Sequence, residues 1–342
     1  MAQAGVSETK TDIEFTEERS FLSYKDLGDE ERETLLRLAL DFATSPGKYR
    51  GVLNDRSVGL LFSAPSTRTR TSFWRAATDL GARVISFGPG DLQLSTGETW
   101  ADTGRVLSEY LDAVVVRTNG PLDEMRALAR HLPSTINALS VEEHPTQAIA
   151  DYCALYEHFG KVEGIRLAYC GEGNSTAAAL ALLLTRIDRV RCDFYCPPGY
   201  GLAADTATLA GAGERWGGCF RMFDAIPDNP DPVDVVYTTR WQSMGTKRSS
   251  VDWRSKFEPF SVTEDVFTRF AEPGRTVLMH DLPAVRGEEV AAEVLDAEYA
   301  IVQRQAHHKR TAACAALLWC LGADHELRTG TCHGFAPENS GT

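Results

Sequence analysis

Short apolar segments of strand length alternate with longer amphipathic segments through most of the chain, and this alternation is its strongest constraint on the fold. An alternating order of strands and helices is typical of parallel sheets covered by helices. Because 342 residues are more than a single core commonly holds, we expect two domains. The sequence therefore predicts an α/β protein with two doubly wound domains, each a parallel sheet flanked by helices.

The periodicity also places the individual elements. Strands are predicted near residues 58–62, 83–87, 113–117 and 134–138 in the first half, and near 166–170, 191–195, 233–237 and 276–280 in the second. Helices are predicted near 29–44, 71–80, 99–111, 123–131, 175–187 and 202–212, with a connecting helix at 146–159 and a final one at 311–321. We expect one domain at 1–150, completed by a C-terminal helix at 306–325, and a second at 151–305, with frayed residues at 1–20 and a loose tail at 326–342.

Charge and composition exclude several classes of protein. The net charge of −13 argues against nucleic acid as a partner, although one concave site can still concentrate positive charge for a small anion. No apolar run reaches the length of a membrane span, and the first 30 residues lack the pattern of a signal peptide, so we expect a cytoplasmic protein with no membrane partner. The eight cysteines form no C-x-x-C pair and no zinc spacing, which predicts reduced thiols, no metal and no cofactor.

The first candidate site is the run Ser66-Thr67-Arg68-Thr69-Arg70, which follows an apolar strand and precedes a helix. The first turn of a helix leaves backbone N–H groups unpaired, and such a turn attracts anions. Hydroxyls add directional donors, and a guanidinium matches a pair of phosphate oxygens. A capped helix start with solvated arginines is the alternative, but five consecutive polar donors after a strand favour a phosphate or carboxylate pocket.

Further polar clusters follow other predicted strands, at the edge where open α/β sheets bind their ligands. Arg117 closes one strand, and His144-Pro145-Thr146-Gln147 opens the connecting helix. Gly171-Glu172-Gly173-Asn174-Ser175 has too few glycines for a dinucleotide fingerprint, so it is interpreted as a tight turn that presents Asn174 and Ser175. His280-Asp281-Leu282-Pro283 directs an imidazole and a carboxylate to the same edge.

In this order the motifs resemble those of the aspartate/ornithine carbamoyltransferase family, over about residues 21–321. Besides the clusters above, the resemblance includes Asp234-Val-Val-Tyr-Thr238, Ser243-Met244-Gly245 and Arg286-Gly287-Glu288-Glu289. Asp91-Leu-Gln93-Leu and Asp102-Thr-Gly-Arg-Val-Leu107 are similar to the ornithine branch.

The resemblance implies a carbamoyl phosphate site in the first domain. Ser66, Thr67, Arg68 and Thr69 would hold the phosphate, and Arg117 would bridge the phosphate and the carbonyl oxygen. His144 and Thr69 would polarise the carbonyl, while Gln147 and the backbone carbonyl of Leu282 would accept the carbamoyl NH₂ group. Gln93 of a neighbouring subunit would bind the phosphate, which implies a homotrimer with active sites at subunit interfaces.

The acceptor side departs from the ornithine branch. Thr239 stands where the branch has the Asp expected to hold the α-amino group, Asp281 replaces a Cys, and Ser175 replaces an Asn. Lys309, with Arg310 beside it, replaces a late Arg of the donor site. Arg240 and Gln242 resemble the carboxylate-binding residues of the aspartate branch. The predicted acceptor residues are therefore Asn174, Ser175, Thr239, Arg240, Gln242, Ser243, Met244 and Asp281, with Asp281 counted as catalytic alongside Arg68, Thr69, Arg117 and His144.

These observations favour an N-carbamoyltransferase that makes a ureido product from carbamoyl phosphate and a primary amine other than free ornithine. One version resembles enzymes that modify a diaminopropionate-derived amine of tuberactinomycin-type peptide antibiotics. Two alternatives stay open: an ordinary ornithine carbamoyltransferase, and a non-catalytic paralogue that binds carbamoyl phosphate.

Overall fold

Two parallel sheets form the framework of the computed structural model, which describes residues 17–242 and 252–324. Sheet A has the spatial order β2-β1-β3-β4, and its strands are β1 (Ser57–Phe62), β2 (Arg83–Phe87), β3 (Ala113–Arg117) and β4 (Ser134–Leu139). Sheet B has the order β7-β6-β5-β8-β9, and its strands are β5 (Arg166–Cys170), β6 (Arg191–Tyr195), β7 (Cys219–Phe223), β8 (Val235–Thr238) and β9 (Val277–His280). The prediction of two parallel sheets flanked by helices is confirmed.

Helices cover both sheets. Those that follow strands of sheet A, together with the helix that precedes it, are α1 (Asp29–Thr44), α2 (Arg68–Asp79), α3 (Trp100–Leu107) and α4 (Leu122–Ala129). The connecting helix is α5 (Pro145–Phe159). The remaining helices are α6 (Ser175–Leu184), α7 (Ala204–Gly211), α8 (Trp253–Phe257), α9 (Glu264–Phe270), α10 (Ala292–Leu295) and α11 (Val302–Cys320). In the described part of the chain no helix is both long and apolar enough to cross a membrane.

The strand order explains where polar side chains can gather. In sheet A the chain leaves β1 towards β2 and then returns to β3 on the other side of β1, and in sheet B the same reversal separates β5 from β8. At such a reversal the flanking helices diverge and open a crevice at the carboxyl ends of the strands. In register, Phe62 pairs with Arg117 and Cys170 with Thr238, so each pair marks the rim of a crevice.

Helix α11 joins the two ends of the fold. It packs against α1, α2 and α5, and its buried Ala312, Ala313, Ala315 and Ala316 allow a close approach because alanine adds little bulk between helix axes. The final predicted helix began at residue 311, whereas α11 begins at Val302, inside the predicted second domain. The sequence of its first half is polar and gives no apolar period, yet three of its polar side chains (Gln305, His308 and Lys309) are buried.

Other differences have simple causes. The strand β7 was not predicted, since it is an edge strand with partly exposed side chains and so lacks a continuous apolar run. Helix α9 was also missed, and α2 begins at Arg68 rather than at residue 71. The other predicted elements occur with ends that differ by a few residues.

The chain ends were predicted to be loose. Within the predicted frayed segment 1–20, Arg19 is instead anchored: its NH2 lies 2.5 Å from Asp324 Oδ1, and its Nε donates to the carbonyl oxygen of Trp319 at 2.9 Å. Ion pairing with a distant residue is not visible in a local sequence pattern. The predicted tail at 326–342 lies outside the described residues.

Replacing Trp319 with alanine should destabilise the protein. Its side chain is 1 % exposed and packs edge-on against Phe21, with ring centroids 6.1 Å apart. Truncating a buried Trp leaves a cavity, and we expect a loss of about 3–5 kcal/mol in the free energy of unfolding, measured by urea denaturation. Met222→Ala, at an exposed position of β7, is the control and should change it by less than about 1 kcal/mol. Equal losses in the two variants would contradict this assignment of α11 to the core.

Candidate active site

One cavity of about 300 Å³ lies where the carboxyl ends of the two sheets face each other. Its walls come from the segments that follow β1, β3, β4, β5, β8 and β9, together with one side chain of α11. The lining residues are Ser66, Thr67, Arg68, Thr69, Arg117, Asn119, Leu139, Ser140, Val141, His144, Glu172, Gly173, Asn174, Ser175, Thr176, Thr239, Arg240, Gln242, Asp281, Leu282, Pro283 and Lys309. Most of the side chains proposed from the sequence are therefore brought to one site.

The start of α2 contributes the first group of donors. Thr67 precedes the helix, and its side chain makes no capping hydrogen bond, so the hydroxyl is not used to close the helix end. The backbone N–H groups of the first turn have no acceptor within the helix. Arg68 in that turn lines the cavity, and burial lowers its pKa, an effect that Asp281 opposes. The start of α2 is therefore built to receive an anion.

The second arginine of the motif points elsewhere. Arg70 NH2 donates to the carbonyl oxygen of Phe62 at 3.2 Å, and the guanidinium lies 5.0 Å from the centre of the Phe62 ring. Of the five polar residues of the motif, Arg70 is therefore the one that does not line the cavity. On a helix, side chains that are three or four residues apart lie on the same face. Residues 68 and 70 are two apart, so their side chains point in different directions.

Arg117 is a buried cation at the end of β3. Its NH1 donates to Thr69 Oγ1 at 3.1 Å, while its Nε has no hydrogen-bond partner among the described residues. Burial lowers the pKa of Arg117 to about 10; Asp281 opposes this effect and Arg68 adds to it. A guanidinium that has an N–H group without an acceptor, in a site that holds other cations, favours the binding of an anion.

His144 lies at the start of α5 and is neutral. Its backbone N–H donates to the carbonyl oxygen of Ser175 at 3.0 Å, a contact that joins the two halves of the cavity. Burial, with Lys309 and Arg117 nearby, holds its pKa well below the usual range. Its Nδ1 makes no hydrogen bond within residues 17–242 and 252–324. A neutral imidazole can donate one N–H to a carbonyl oxygen without adding another buried charge.

Lys309 provides a third cation from α11. It is buried, and its Nζ donates to Gln147 Oε1. Burial lowers the pKa of Lys309 to about 8, while Asp281 and Asp151 oppose the shift. Of the two adjacent basic residues Lys309 and Arg310, Lys309 is the one that lines the cavity. Arg310 instead pairs with Asp79, at 2.6 Å.

Two predicted donor-site residues do not line this cavity. Gln147 is buried behind Lys309, and its Nε2 donates to Asp151 Oδ1 at 2.7 Å. Its Oε1 accepts from Lys309 Nζ, and its expected contact with the carbamoyl NH₂ group stays a prediction. Gln93 is exposed in the 3₁₀ helix Gln93–Thr96, outside the cavity of its own chain.

The opposite wall is formed around the start of α6. Asn174 Oδ1 accepts from the backbone N–H groups of Thr176 and Ala177, at 3.0 and 3.1 Å, which caps the helix. Its Nδ2 donates to Thr239 Oγ1 at 2.9 Å, and the Tyr169 hydroxyl lies 3.0 Å from the same oxygen. The hydroxyl of Thr239 is therefore engaged within the protein. Ser243 and Met244 lie outside the described residues.

Asp281 places a carboxylate inside the cavity. Its Oδ2 accepts from Thr176 Oγ1 at 2.8 Å. The next residue, Leu282, has a φ of +54°, a conformation that costs a non-glycine residue energy and is common in functional loops. The Leu282 N–H donates to His280 Nδ1 at 2.8 Å, so the other ring nitrogen carries the proton and faces Glu289 Oε1 at 3.1 Å. These contacts fix the loop from residue 280 to 283.

Sequence reasoning missed several residues of the site. Asn119, Ser140, Glu172 and Thr176 line the cavity, and Asp151, Tyr237 and Gln305 form a hydrogen-bonded layer behind it. Asn119 could have been found because it comes two residues after the strand-end Arg117. The buried layer carries no local signal, since its three members lie far apart in the sequence.

The cavity holds charges of both signs. Arg68, Arg117 and Lys309 bring positive charge, and Glu172 and Asp281 bring carboxylates. Such a site can bind a small dianion next to a neutral hydrogen-bond donor, while a carboxylate attracts an amine.

Anion binding should depend on pH through Lys309. Below pH 8 the ammonium is present, and above pH 8 it loses its proton, so sulfate affinity should fall as the pH rises from 7 to 9. Lys309→Arg keeps its charge throughout this range, so the fall should disappear. Sulfate stays a dianion over the whole range, and isothermal titration calorimetry gives the affinity. An unchanged pH profile in the variant would show that Lys309 does not bind the anion.

Comparisons with known proteins agree with this geometry. Residues 19–157 match the model described as "Aspartate/ornithine carbamoyltransferase, carbamoyl-P binding domain", and residues 163–320 match the model for the "Asp/Orn binding domain" of the same family. An ornithine carbamoyltransferase from Pyrococcus abyssi is 35 % identical over 318 residues, 91 % of this chain and 98 % of that protein. One from Acidothermus cellulolyticus is 36 % identical over 307 residues, 89 % of this chain and 97 % of that protein.

Solved structures give the same result. The structure of an ornithine carbamoyltransferase from Pyrococcus furiosus has a TM-score of 0.82 and 34 % identity, covering 91 % of this chain and 99 % of that chain. Both halves of the cavity thus come from domains that the family shares. The chain belongs to the aspartate/ornithine carbamoyltransferase family.

Proposed function

We propose that the protein transfers the carbamoyl group of carbamoyl phosphate to a primary amine, with ornithine as the first acceptor to test. The observation that carries the proposal is the single cavity in which Arg68, Arg117 and Lys309 face a carboxylate, Asp281, beside a neutral His144. In the reaction the amine nitrogen forms a bond to the carbonyl carbon, the bond from that carbon to the phosphate oxygen breaks, and the amine loses a proton.

The donor roles follow from charge and position. Ser66, Thr67, Arg68 and Thr69 at the start of α2 would bind the phosphate, where backbone N–H groups and a guanidinium converge. Phosphate leaves as a dianion, so positive charge that is already fixed in place lowers the barrier without rearrangement during the reaction.

The carbonyl oxygen would lie between Arg117 and His144. Arg117 is held by Thr69 Oγ1 at 3.1 Å, and its Nε has no acceptor in the part of the chain that the structure describes. Negative charge develops on this oxygen as the amine attacks, and the loss of one such donor typically costs about 3 kcal/mol in transition-state stabilisation. The backbone carbonyl of Leu282 would accept the carbamoyl NH₂ group, and Gln147 would act through Lys309.

Ornithine is the first candidate acceptor because the relatives that cover 89–91 % of this chain carry the name ornithine carbamoyltransferase. These names favour ornithine over the antibiotic-related amine considered from the sequence. Asn174, Ser175 and Gln242 line the acceptor side of the cavity and would contact the amino acid, while Arg240 would bind its carboxylate.

A different primary amine is the second candidate, and one observation favours it. Thr239 carries no charge, and its hydroxyl is engaged by Asn174 and Tyr169, whereas the carboxylate of Asp281 stands on another loop and is oriented by Thr176. An ammonium group held by Asp281 would place the acceptor differently from one held at position 239. The acceptor could then be shorter or differently substituted than ornithine.

Assembly into a homotrimer is part of the proposal. Gln93 is exposed away from the cavity of its own chain, as expected of a residue that serves a neighbouring subunit. Exposed apolar side chains lie on the edge strand β2 (Ile85), on α2 (Trp74) and on or after α3 (Val106 and Tyr110). Apolar side chains of this size on a sheet edge favour a covered interface.

An amine panel tests the function. With carbamoyl phosphate, the protein should release phosphate faster than spontaneous decay when ornithine is present, and mass spectrometry should detect citrulline. A faster rate with another amine would support the second candidate. If no amine accelerates release, while carbamoyl phosphate still raises the melting temperature, the protein binds the donor without catalysis.

Arg68→Ala should reduce turnover with any acceptor by at least about 100-fold, because it removes a charged donor from the phosphate site. Arg70→Ala is the matched control: this guanidinium belongs to the same turn but contacts Phe62, so the rate should fall less than about threefold. Steady-state phosphate release measures both. Equal losses would contradict the distinction drawn between the two arginines.

Asp281→Asn separates the two sides of the site. It should change the ranking of amines in the panel while changing the Kd of carbamoyl phosphate by less than about threefold, since Asp281 is bonded to Thr176 of the acceptor wall. The ratio of kcat/KM values for two amines gives the ranking. A large loss of donor affinity with an unchanged ranking would assign Asp281 to the donor side.

A further inference from the structure

Asp151 is a buried carboxylate on α5 that does not line the active-site cavity. It is 0 % exposed, and its two oxygens accept three side-chain hydrogen bonds. Oδ1 accepts from Gln147 Nε2 at 2.7 Å and from Gln305 Nε2 at 2.9 Å, and Oδ2 accepts from the Tyr237 hydroxyl at 3.0 Å. Since these donors come from α5, α11 and β8, a single carboxylate links elements from both halves of the molecule.

The first link leads to Lys309. An amide has its NH₂ group on one side and its oxygen on the other. Because Asp151 takes the NH₂ group of Gln147, the amide oxygen is directed away from Asp151 and accepts from Lys309 Nζ. If the amide were reversed, its NH₂ group would face the ammonium of Lys309. Both groups are hydrogen-bond donors, so no hydrogen bond could form between them. The carboxylate thus selects the orientation in which Gln147 can hold Lys309 at the cavity wall.

The second link leads to the loop that carries Asp281. Asp151 takes the NH₂ group of Gln305, so the amide oxygen of Gln305 is free to accept from the His280 backbone N–H, at 2.8 Å. His280 ends β9 directly before Asp281. The same selection of an amide orientation therefore anchors the start of that loop.

We propose that Asp151 is a positioning residue, which orients two glutamine amides and thereby holds both Lys309 and the loop of Asp281 in place. The proposal rests on the proposed function in one respect, namely that Lys309 belongs to the site of the donor anion. Asp151 touches neither substrate, so it acts through Gln147 and Gln305.

The charges around Lys309 support this role. Asp151 and Asp281 raise the pKa of Lys309, whereas burial and the two cavity arginines, Arg117 and Arg68, lower it. His144 is also close enough for Lys309 to lower its pKa. Burial raises the pKa of Asp151 itself to about 6, so it is ionised at pH 7 and above. Without Asp151 the ammonium of Lys309 would lose an attractive charge. It would also lose the Gln147 amide orientation in which the oxygen accepts its hydrogen bond.

Sulfate binding between pH 6.5 and 9.5, measured by calorimetry, tests the proposal. Asp151→Asn presents an NH₂ group to the two glutamines and should reverse at least one amide. At pH 7 we expect the variant to bind sulfate about tenfold more weakly than the wild type does. The pH at which sulfate affinity has fallen to half of its value at low pH should be lower in the variant by at least about 0.5. Asp193→Asn is the matched control: this buried aspartate pairs with Arg191 and Arg221 in sheet B, outside the cavity, and should leave that pH unchanged.

Gln147→Leu is the second variant, needed in case Asp151→Asn does not fold. It keeps the charge of Asp151 but removes the link to Lys309, so the pH of half-maximal affinity should fall as well. The proposal is wrong if both variants bind sulfate as the wild type does, if Asp193→Asn shifts the profile equally, or if the wild type shows no loss between pH 7 and 9. Sulfate binding needs neither carbamoyl phosphate nor an amine. If the wild type fails in the amine panel, the proposed function is wrong, but the sulfate test of Asp151 can still be carried out and interpreted.

Discussion

The site depends on positive charge that is held out of water. Arg117 and Lys309 are both buried, and Arg68 lies beside them, so three like charges share one cavity. Burial removes hydration and lowers the pKa of all three groups, and the neighbouring arginines lower the pKa of Arg117 and of Lys309 further. The fold holds them together with Asp281 and with hydrogen bonds to Thr69 and Gln147. A dianion that enters this cavity relieves the repulsion, so the free protein is already arranged for its ligand.

The arrangement depends on how the chain crosses between the two sheets. His144 directly precedes the connecting helix α5 at the cavity, and α5 carries Asp151 about two turns later. Helix α11 returns from sheet B to pack on α1, α2 and α5. Because the site draws on both sheets and on these two helices, its geometry is a property of the whole fold. Local changes to one loop would leave most of the donors in place.

Much of this could be predicted from the sequence, and the failures share a physical cause. Strands β2, β3, β5 and β6 and helix α1 agree with the prediction to the residue. The apolar residues of β3, β5, β6 and α1 face a core, whereas β2 is an edge strand with no buried residue. Strand-end residues such as Arg117, His144 and Asp281 were found because parallel strands bring their carboxyl ends to one edge. The direction of Arg70 and the role of Gln305 were missed, since the direction of a side chain and the partners of a buried amide depend on contacts between distant residues. The first half of α11 has no apolar period, because its buried face is polar.

The position of Lys309 near the end of the described chain has a consequence for biosynthesis. A ribosome makes the N-terminal residues first, and domains fold as they emerge. Sheet A can form early, but its anion pocket lacks one of its three cations until α11 has been translated and has docked. A nascent chain would therefore complete this cluster of three cations only after α11 has been translated, and an anion bound there would stabilise the folded state from that point on.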